Sequence, residues 1–311
     1  MKIYVVGSGA MGSLFGGLLF EGNNEVTLID VSKAHIDAIN SNGLFLTTGM
    51  EGSRSIGIPA KYAHEIDEFP DLILIFTKTI YTSSALNSVK HLIGSETHIM
   101  TLQNGLGNVE IIEAFVNREK IIVGMTNYPS DLTSPGKVSS LGEGIVIAMN
   151  ASGRIDAFLE KICSTFNSSK LNCKITPDVF KYIWEKVAFN AALNTITAVL
   201  KLKIGDMSST EEGRHLVFKV AEEVIKVANR KGIPADIEGV KQNLEMAFNE
   251  HGDHMPSMLQ DVMAKRNTEI DFINGAVLRE AKLLDIEIPV TKTLYELIKV
   301  IEQRYEKNLS L

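Results

Sequence analysis

Short apolar runs alternate with helix-periodic stretches over the first half of the chain. The apolar runs are rich in valine, isoleucine and leucine, which is typical of strands buried on both faces. They predict strands over residues 2–6, 25–30, 72–76, 97–102 and 121–125, with helices between them that include residues 10–21 and 32–42. Strands that alternate with helices predict an α/β fold with a parallel, doubly wound sheet. The glycine-punctuated segments 43–57 and 137–149 predict extra strands, which we expect to be antiparallel.

The pattern changes after about residue 150. Residues 155–167 read as a helix and residues 171–176 as a short strand. Beyond them the apolar spacing is helical throughout, and it predicts helices over residues 178–200, 209–231, 236–250, 268–284 and 291–306. We therefore predict an α/β domain over residues 1–170 and an all-helical domain over residues 171–311.

Composition excludes several classes of function. The chain of 311 residues carries 31 basic and 38 acidic side chains, a net charge of −7, which does not suit nucleic-acid binding. Cys163 and Cys173 lack zinc-ligand spacing, and we interpret them as core residues. His251 and His254 lie three residues apart without an evident third ligand, so no metal site is predicted. Without a signal peptide or an apolar run of membrane length, we expect a soluble cytoplasmic protein.

A glycine-rich loop joins the first predicted strand to the first predicted helix. Its sequence is Gly7-Ser8-Gly9-Ala10-Met11-Gly12. In a G-x-G-x-x-G loop the first glycine makes a tight turn, the second lets a pyrophosphate approach, and the third lets the helix pack on the strand. The free N–H groups at the start of the helix then face the phosphates. The alternative is a tight turn needed only for packing. In this context the loop predicts a Rossmann-type dinucleotide-binding domain.

An acidic residue at the end of the second strand bears on the choice of cofactor. Asp30 follows Gly12 by 18 residues, where a carboxylate normally binds the ribose 2′-hydroxyl of NAD. The 2′-phosphate of NADP would be repelled there, although Lys33 lies close enough in sequence to offset the repulsion. The alternative is that Asp30 caps the helix that begins near Ser32. We expect NAD, with NADP as the second choice.

Two further strand ends carry polar residues. Lys78 follows the strand over 72–76, and Asn104 follows the strand over 97–102. Ligands of open α/β sheets bind beyond the carboxyl ends of the strands, so both side chains are candidates for contact with cofactor or substrate. A solvated lysine and a turn-forming Asn-Gly pair are the alternatives.

A narrow polar stripe runs along an apolar helix of the second half. Lys186, Asn190 and Asn194 follow one another at intervals of four residues, which places them on one face. Buried amides need partners, and either a bound substrate or an internal hydrogen-bond network would supply them. A lysine ammonium can donate a proton to a carbonyl oxygen on which negative charge develops. The stripe is therefore a candidate wall of an active site.

Together these motifs resemble those of the ketopantoate reductase (2-dehydropantoate 2-reductase) family over nearly the whole chain. The segments that carry the resemblance are Gly7–Gly12, Lys78, residues 103–107, residues 184–186 with Asn190 and Asn194, residues 256–261 and residues 268–275. The family includes NAD-dependent D-mandelate-type 2-hydroxyacid dehydrogenases. The resemblance implies an oxidoreductase that transfers hydride between a nicotinamide cofactor and C2 of a 2-oxo acid, giving the D-2-hydroxy acid. It also implies a substrate-binding helical domain, in which we expect the contacts of a homodimer.

The resemblance implies roles for individual residues. Lys186 would be the general acid, and Glu269 would contact the nicotinamide ribose or order the site. Lys78 and Asn104 would lie near cofactor and substrate. The residues implied to bind substrate also include Asn190, Asn194 and Ser257. Taken alone, Glu269 looks like an acid in the first turn of a helix capped by Asn267 or Thr268.

The chain departs from the family pattern at three positions. It has Asp30-Val31 where an arginine often binds the NADP phosphate, Ile204 where an asparagine often lies in the substrate pocket, and His254 where asparagine is frequent. An apolar Ile204 would suit a branched or aromatic 2-oxo acid, so the alternative function is a D-mandelate-type dehydrogenase. A β-hydroxyacid dehydrogenase fits segments 257–261 and 268–271 poorly. A non-catalytic dinucleotide sensor would have no need of Lys186 as a proton donor.

Overall fold

The β-branched runs of the first 175 residues pair into two sheets in the computed structural model, which describes residues 1–49 and 51–306. The strands, in chain order, are β1 (Lys2–Val6), β2 (Glu25–Ile29), β3 (Leu44–Thr48), β4 (Gly52–Ile56), β5 (Ala60–Lys61), β6 (Leu72–Ile75), β7 (His98–Thr101), β8 (Ile121–Thr126), β9 (Asp131–Ser134), β10 (Lys137–Ser140), β11 (Val146–Asn150) and β12 (Cys173–Ile175). The larger sheet has the order β12-β11-β8-β7-β6-β1-β2-β5.

The larger sheet is parallel except where β11 runs antiparallel to β8. Val5 of the central strand β1 pairs with Leu28 of β2 and Leu74 of β6. All four residues of β6 are fully buried, as expected for a strand covered on both faces. The carboxyl ends of the parallel strands β1, β2, β6 and β7 lie along one edge of the sheet. The prediction of an α/β fold with a doubly wound sheet is confirmed.

The smaller sheet has the order β4-β3-β10-β9. The prediction that its strands are antiparallel is right for β3 with β4 and for β10 with β9. It is wrong for β10 on β3, which pair in parallel. The cause is the β9–β10 hairpin, which turns at Gly136 (φ +74°) and reverses the chain before β10 meets β3. The predicted segment 137–149 is also split, because β11 joins the larger sheet.

Helices flank the sheets and form the rest of the chain. In order they are α1 (Ala10–Glu21), α2 (Lys33–Asn42), α3 (Thr82–Ser88), α4 (Asn108–Ile112), α5 (Ala157–Ser168), α6 (Val179–Leu200), α7 (Ile204–Ser208), α8 (Glu211–Arg230), α9 (Ile237–Glu250), α10 (Ser257–Met263), α11 (Asn274–Leu283) and α12 (Pro289–Glu306). Every regular element within residues 180–306 is a helix, so the predicted all-helical second half is confirmed. The short helices α7 and α10 were not predicted.

The predicted helix over residues 268–284 begins later than expected. Residues 268–273 form turns, and α11 starts at Asn274 with Ile273 as its N-cap. Thr268 instead uses its backbone N–H and its hydroxyl to bond Glu302 of α12, at 2.7 and 2.8 Å. The interpretation of Asn267 or Thr268 as a helix cap is therefore wrong. The Glu302 carboxylate, which comes from a different helix, accepts the hydrogen bonds of Thr268 at the position where the helix was predicted to begin.

The chain forms two compact units. The first contains residues 1–103 and 108–179, and the second contains residues 104–107 with residues 180 onward. The predicted division into a domain over 1–170 and a domain over 171–311 stays a prediction, because a compact unit is not in itself an independently folding domain. In the part of the chain that the structure describes, no helix is long and apolar enough to cross a membrane.

Candidate active site

The glycine loop of the first unit lies between β1 and α1. Gly7 has a φ of +88°, and a Cβ there would come within 2.6 Å of the Thr77 backbone nitrogen. A Cβ on Gly12 would lie 2.1 Å from the carbonyl oxygen of Gly7. Both positions therefore require glycine for reasons internal to the fold.

Gly9 differs from the other two glycines of the loop. Its φ of −59° lies outside the left-handed region that favours glycine, and a Cβ there would meet no protein atom within 4 Å. Gly9 is also the N-cap of α1 and makes no side-chain capping bond, and the half-exposed Ala10 and Met11 follow it. The backbone N–H groups of the first helical turn are thus presented at an open surface. This geometry fits a pyrophosphate, since bulk at Gly9 would interfere only with a bound group.

Asp30 is tied to the glycine loop. Its Oδ2 accepts hydrogen bonds from the backbone N–H of Ser8 at 2.8 Å and from the Ser8 hydroxyl at 3.1 Å. Its Oδ1 accepts from the backbone N–H groups of Val31 and Ser32, at 2.8 and 2.9 Å. The N-cap of α2 is Ser32, which accepts from the N–H of His35. The alternative that Asp30 caps α2 is therefore wrong, and four donors hold its carboxylate in place.

A buried hydrogen-bond chain supports Ser8 from behind. The backbone N–H of Gly136 donates to His35 Nδ1 at 3.0 Å, so the neutral ring carries its proton on Nε2. Nε2 lies 3.2 Å from the Ser13 hydroxyl, which in turn donates to the Ser8 carbonyl at 2.6 Å. All three side chains, of Ser8, Ser13 and His35, are buried. The chain links the β9–β10 hairpin to the glycine loop, and we name it the His35 relay.

Strand ends beside the loop supply further polar groups. Lys78 is half-buried and precedes a short 3-10 turn over Thr79–Tyr81. Gln103, at the end of β7, donates from Nε2 to the Thr77 carbonyl at 2.6 Å and to the Thr82 hydroxyl at 2.8 Å. These bonds fix the backbone immediately before Lys78. The cofactor role of Lys78 stays a prediction.

In the second unit, α6 carries the polar stripe. Asn190 and Asn194 are 8% and 7% exposed, and Lys186 is half-buried. Phe189, Ala191 and Leu193 beside the asparagines are apolar, whereas Thr195 is a buried polar residue that donates to Asn274 Oδ1 at 2.9 Å. Burial lowers the pKa of Lys186 to about 8, and the Glu269 carboxylate opposes that shift. Lys186 is thus a lysine that can both hold and release a proton near neutral pH.

Glu269 lies in the turn that precedes α11. The side-chain amide of Asn104 donates from Nδ2 to Glu269 Oε2 at 3.4 Å. The Leu106 N–H donates to the Phe272 carbonyl at 2.9 Å, and a Cβ on Gly105 would lie 2.4 Å from that same oxygen. Gly105 has a φ of +84°, so only glycine suits this approach. Segment 104–107 is therefore packed against the turn that carries Glu269. The charge of the same carboxylate raises the pKa of Lys186 against the effect of burial.

Two predicted substrate residues, Ile204 and His254, meet at the start of α7. The side chain of Ile204 is 2% exposed, and its backbone N–H lies 3.4 Å from the His254 carbonyl oxygen. The side chains of His254 and Ser257 are exposed, and Ser257 opens α10. No group of three or more His, Cys, Asp or Glu side chains among residues 1–49 and 51–306 stands where it could hold a metal ion. The substrate roles of Ile204, His254 and Ser257 stay predictions.

Comparison with known families decides which proteins share this arrangement. Residues 3–152 match the model described as ketopantoate reductase PanE/ApbA, and residues 178–302 match the model of its C-terminal part. The chain belongs to the ketopantoate reductase family. It is 37% identical to the 2-dehydropantoate 2-reductase of Pyrococcus horikoshii, over 97% of this chain and 98% of that protein.

Two further relatives show the range of this ketopantoate reductase family. The 2-dehydropantoate 2-reductase of Lactococcus lactis is 33% identical, over 97% of this chain and 98% of its own length. The ternary structure of D-mandelate dehydrogenase with NADH and anilino(oxo)acetate superposes with a TM-score of 0.92 at 32% identity, covering 98% of this chain and all of that one. The chain is thus similar over nearly its whole length both to proteins named 2-dehydropantoate 2-reductase and to a D-mandelate dehydrogenase.

Some residues that hold the candidate site residues in place were missed by sequence reasoning. Ser13 and His35 brace the glycine loop, and Glu302 holds the turn before α11 through Thr268, which the sequence had suggested only as a helix cap. Ser13 offered a weak signal, since it is a polar residue inside the otherwise apolar α1. Glu302 offered none, because an acid in a charged, exposed-looking helix is indistinguishable from solvated surface until its partner is known.

Proposed function

We propose that this chain reduces a 2-oxo acid to the D-2-hydroxy acid with a nicotinamide cofactor, and catalyses the reverse reaction. The observation that carries the proposal is Lys186, a half-buried lysine with a pKa of about 8 that shares its surroundings with the Glu269 carboxylate. Its relatives support the same reaction class, since they are named for the reduction of dehydropantoate or the oxidation of mandelate.

The cofactor is held by groups of the first unit. The open surface at Gly9 and the uncapped start of α1 fit its pyrophosphate. Ser8, Ala10 and Met11 complete the loop, and Lys78 lies at the end of the neighbouring strand β6. Asn104 and Glu269, which lie together in the second unit, are the other proposed cofactor residues. When bound, the cofactor supplies or accepts the hydride at C2 of the substrate.

Lys186 is proposed to donate the proton that the reduction requires. Hydride addition to a ketone leaves negative charge on its oxygen, and an ammonium group beside that oxygen neutralises it by donating a proton. Asn190 and Asn194, on the same face of α6, are proposed to bind the substrate carboxylate and its polar substituents. In the reverse direction neutral Lys186 accepts the proton of the hydroxyl group. Glu269 favours the charged form of Lys186, which suits the reductive direction.

We propose NAD as the preferred cofactor. The carboxylate of Asp30 is fixed by four donors beside the glycine loop, so its charge stays where the 2′-phosphate of NADP would lie. The nearest following base, Lys33, is engaged with Asp37 at 2.5 Å. The structurally similar D-mandelate dehydrogenase contains NADH.

The substrate is either ketopantoate or a bulkier, less polar 2-oxo acid. Curated relatives at 37% and 33% identity favour ketopantoate. Buried Ile204, in place of an amide, favours a branched or aromatic oxo acid and hence a D-mandelate-type dehydrogenase. A non-catalytic sensor is the remote alternative, and the lowered pKa of Lys186 argues against it because a sensor needs no proton donor.

Four rate measurements, two substrates each with two cofactors, test the proposed substrate and cofactor. The kcat/KM for ketopantoate and for benzoylformate is measured with NADH and with NADPH. A tenfold advantage corresponds to about 1.4 kcal/mol of transition-state stabilisation. If ketopantoate with NADPH wins by that margin, Asp30 does not select the cofactor and the chain is a 2-dehydropantoate 2-reductase. If benzoylformate with NADH wins, the D-mandelate-type assignment holds. Absence of turnover with any 2-oxo acid, with cofactor binding intact, leaves the sensor.

We also propose a homodimer formed through the helical part of the chain. Leu297 and Val300 on α12 are 42% and 57% exposed and lie three residues apart, on the same side of the helix. Light scattering coupled to size-exclusion chromatography measures the mass directly. A mass of 34.2 kDa at all concentrations would contradict the dimer. The cytoplasmic location stays a prediction.

A further inference from the structure

Two buried glutamates each accept two hydrogen bonds from one threonine, one pair near each end of α12. We call each such pair of bonds a glutamate–threonine grip. Glu302, near the end of α12, accepts from the backbone N–H and the hydroxyl of Thr268, at 2.7 and 2.8 Å. Glu223, on α8, accepts from the backbone N–H and the hydroxyl of Thr291, at 2.8 and 2.7 Å. The two glutamates are 8% and 7% exposed. The same chemistry at the same depth therefore serves two different segments.

The two glutamate–threonine grips differ in the segment that each glutamate binds. Glu223 binds the first turn of α12, where it also accepts from the Val290 N–H at 3.1 Å, and so completes a helix start. Glu302 binds the turn over residues 268–273, which lies outside any helix and has Glu269 as its second residue. The Thr268 hydroxyl also accepts from the Ile270 N–H at 3.1 Å, which bridges the position of Glu269.

Other residues of α12 hold the far side of the same turn. The Asp271 carboxylate accepts from the Tyr295 hydroxyl at 2.8 Å and pairs with Lys299 at 2.9 Å. Lys299 also pairs with the second oxygen of Glu302, at 3.2 Å. Tyr295, Lys299 and Glu302 are spaced four and three residues apart, so they share one face of α12. Both flanks of Glu269 are therefore attached to one helix.

We propose that Glu302 is a positioning residue, which sets the place of the Glu269 carboxylate by holding Thr268. Backbone bonds from the Phe272 and Ile273 N–H groups to the Glu269 carbonyl, both at 3.0 Å, form the later part of the turn, and the bonds to Glu302 hold its start at Thr268. Through Phe272 the same turn supports the segment that carries Asn104. The inference rests on the proposed function, in which Lys186 donates the proton to the substrate and Glu269 favours the charged form of Lys186.

Three variants separate positioning from general stability. Glu302→Ala removes the grip. Glu302→Gln keeps Oε1, the oxygen on which both Thr268 bonds end, and loses only the charge that faces Lys299. Glu223→Ala is the matched control, because it removes an equally buried carboxylate with equivalent bonds from a segment that carries no candidate catalytic group.

For activity, we expect Glu302→Ala to lower kcat/KM roughly 10- to 100-fold, as displacement of a catalytic group by about 1 Å does. The loss of kcat/KM as the pH rises should also move to lower pH, because a displaced Glu269 no longer supports the charged form of Lys186. Glu302→Gln should keep kcat/KM within about threefold of the wild-type value and should leave the pH at which it falls unchanged. Glu223→Ala should lose thermal stability while its pH profile and kcat/KM match those of the wild type, measured well below its Tm.

Hydrogen–deuterium exchange measures how firmly each segment is held, independently of catalysis. Faster exchange over residues 268–275 is expected in Glu302→Ala, and over residues 288–294 in Glu223→Ala. If exchange rises in Glu302→Ala but kcat/KM and its pH profile stay unchanged, the proposal is overturned. Equal losses of kcat/KM in the two alanine variants overturn it as well. A wild-type protein inactive on every 2-oxo acid overturns the proposed function instead, and the exchange data still report whether Glu302 holds the turn.

Discussion

Asn104 donates a hydrogen bond to Glu269 across 165 residues of sequence, at 3.4 Å. Asn104 follows a strand end and Glu269 precedes a helix, yet both belong to the same compact unit. The bond places an amide and a carboxylate together in the surroundings of Lys186, whose pKa Glu269 raises against the effect of burial.

Reduction should require protonated Lys186. Because its pKa is about 8, kcat/KM for reduction should be highest below that pH and fall as the pH rises through it, whereas hydroxy-acid oxidation should rise over the same range. Lys186→Ala should lower turnover by two or more orders of magnitude, at least about 2.7 kcal/mol, while fluorescence titration shows unchanged NADH binding. Unchanged turnover in this variant would refute the assignment of Lys186.

Replacement of Glu269 by glutamine should shift that pH dependence. The carboxylate raises the pKa of Lys186, so its loss lowers the pKa and moves the fall in reductive kcat/KM to lower pH. Glutamine keeps the size and a carbonyl oxygen that can still accept from Asn104. Full pH profiles of wild type and Glu269→Gln decide the matter. Coincident profiles would mean that Glu269 does not act on the catalytic proton.

Two alanine substitutions in the glycine loop should have opposite effects. Gly9→Ala should leave the free energy of unfolding within about 0.5 kcal/mol, because its Cβ meets no protein atom, and should weaken cofactor binding at least tenfold, about 1.4 kcal/mol. Gly12→Ala should destabilise the fold by about 1–3 kcal/mol, since its Cβ would overlap the Gly7 carbonyl. Urea unfolding and isothermal titration with NADH measure the two quantities. Tight NADH binding by Gly9→Ala would place the pyrophosphate elsewhere.

Asp30→Asn should relax the choice of cofactor. The variant removes the negative charge that repels a 2′-phosphate, so the ratio of kcat/KM for NADPH over NADH should rise about tenfold. Both KM values should also rise, because an amide NH₂ would face the N–H donors of Ser8, Val31 or Ser32. Asp178→Asn, an exposed acid just before α6 and away from the glycine loop, is the control and should leave the ratio unchanged. An unaltered ratio in Asp30→Asn would show that Asp30 serves only to fix the loop.

The His35 relay should matter for both stability and binding. Ser13→Ala leaves the buried Nε2–H of His35 without its acceptor and the Ser8 carbonyl without its donor, which should cost about 1–3 kcal/mol of unfolding free energy. NADH affinity should fall with it, because Ser8 is less firmly held. Thermal unfolding with and without saturating NADH measures both effects. A stability equal to that of the wild type would mean that the relay contributes nothing.

Local pattern was sufficient for most of the secondary structure. The strand at residues 2–6 and the helix at residues 10–21 were predicted to the residue, since apolar runs, glycine turns and helical spacing act over a few positions. The turn at residues 268–273 was predicted as helix, because its spacing is helical and its competitor, Glu302, lies 34 residues away. Sequence pattern likewise could not place β11 beside β8 or β10 parallel to β3.

The doubly wound α/β fold, the all-helical second half, the glycine loop and the polar stripe of α6 could be predicted from residue order alone, because each shows in patterns that repeat within about two helical turns. Three contacts became known only from the folded chain: Asp30 braces Ser8, His35 reaches the loop through Ser13, and Glu269 meets Asn104. A buried polar group must find a partner wherever packing brings one. That partner is set by long-range contacts, which residue spacing does not encode.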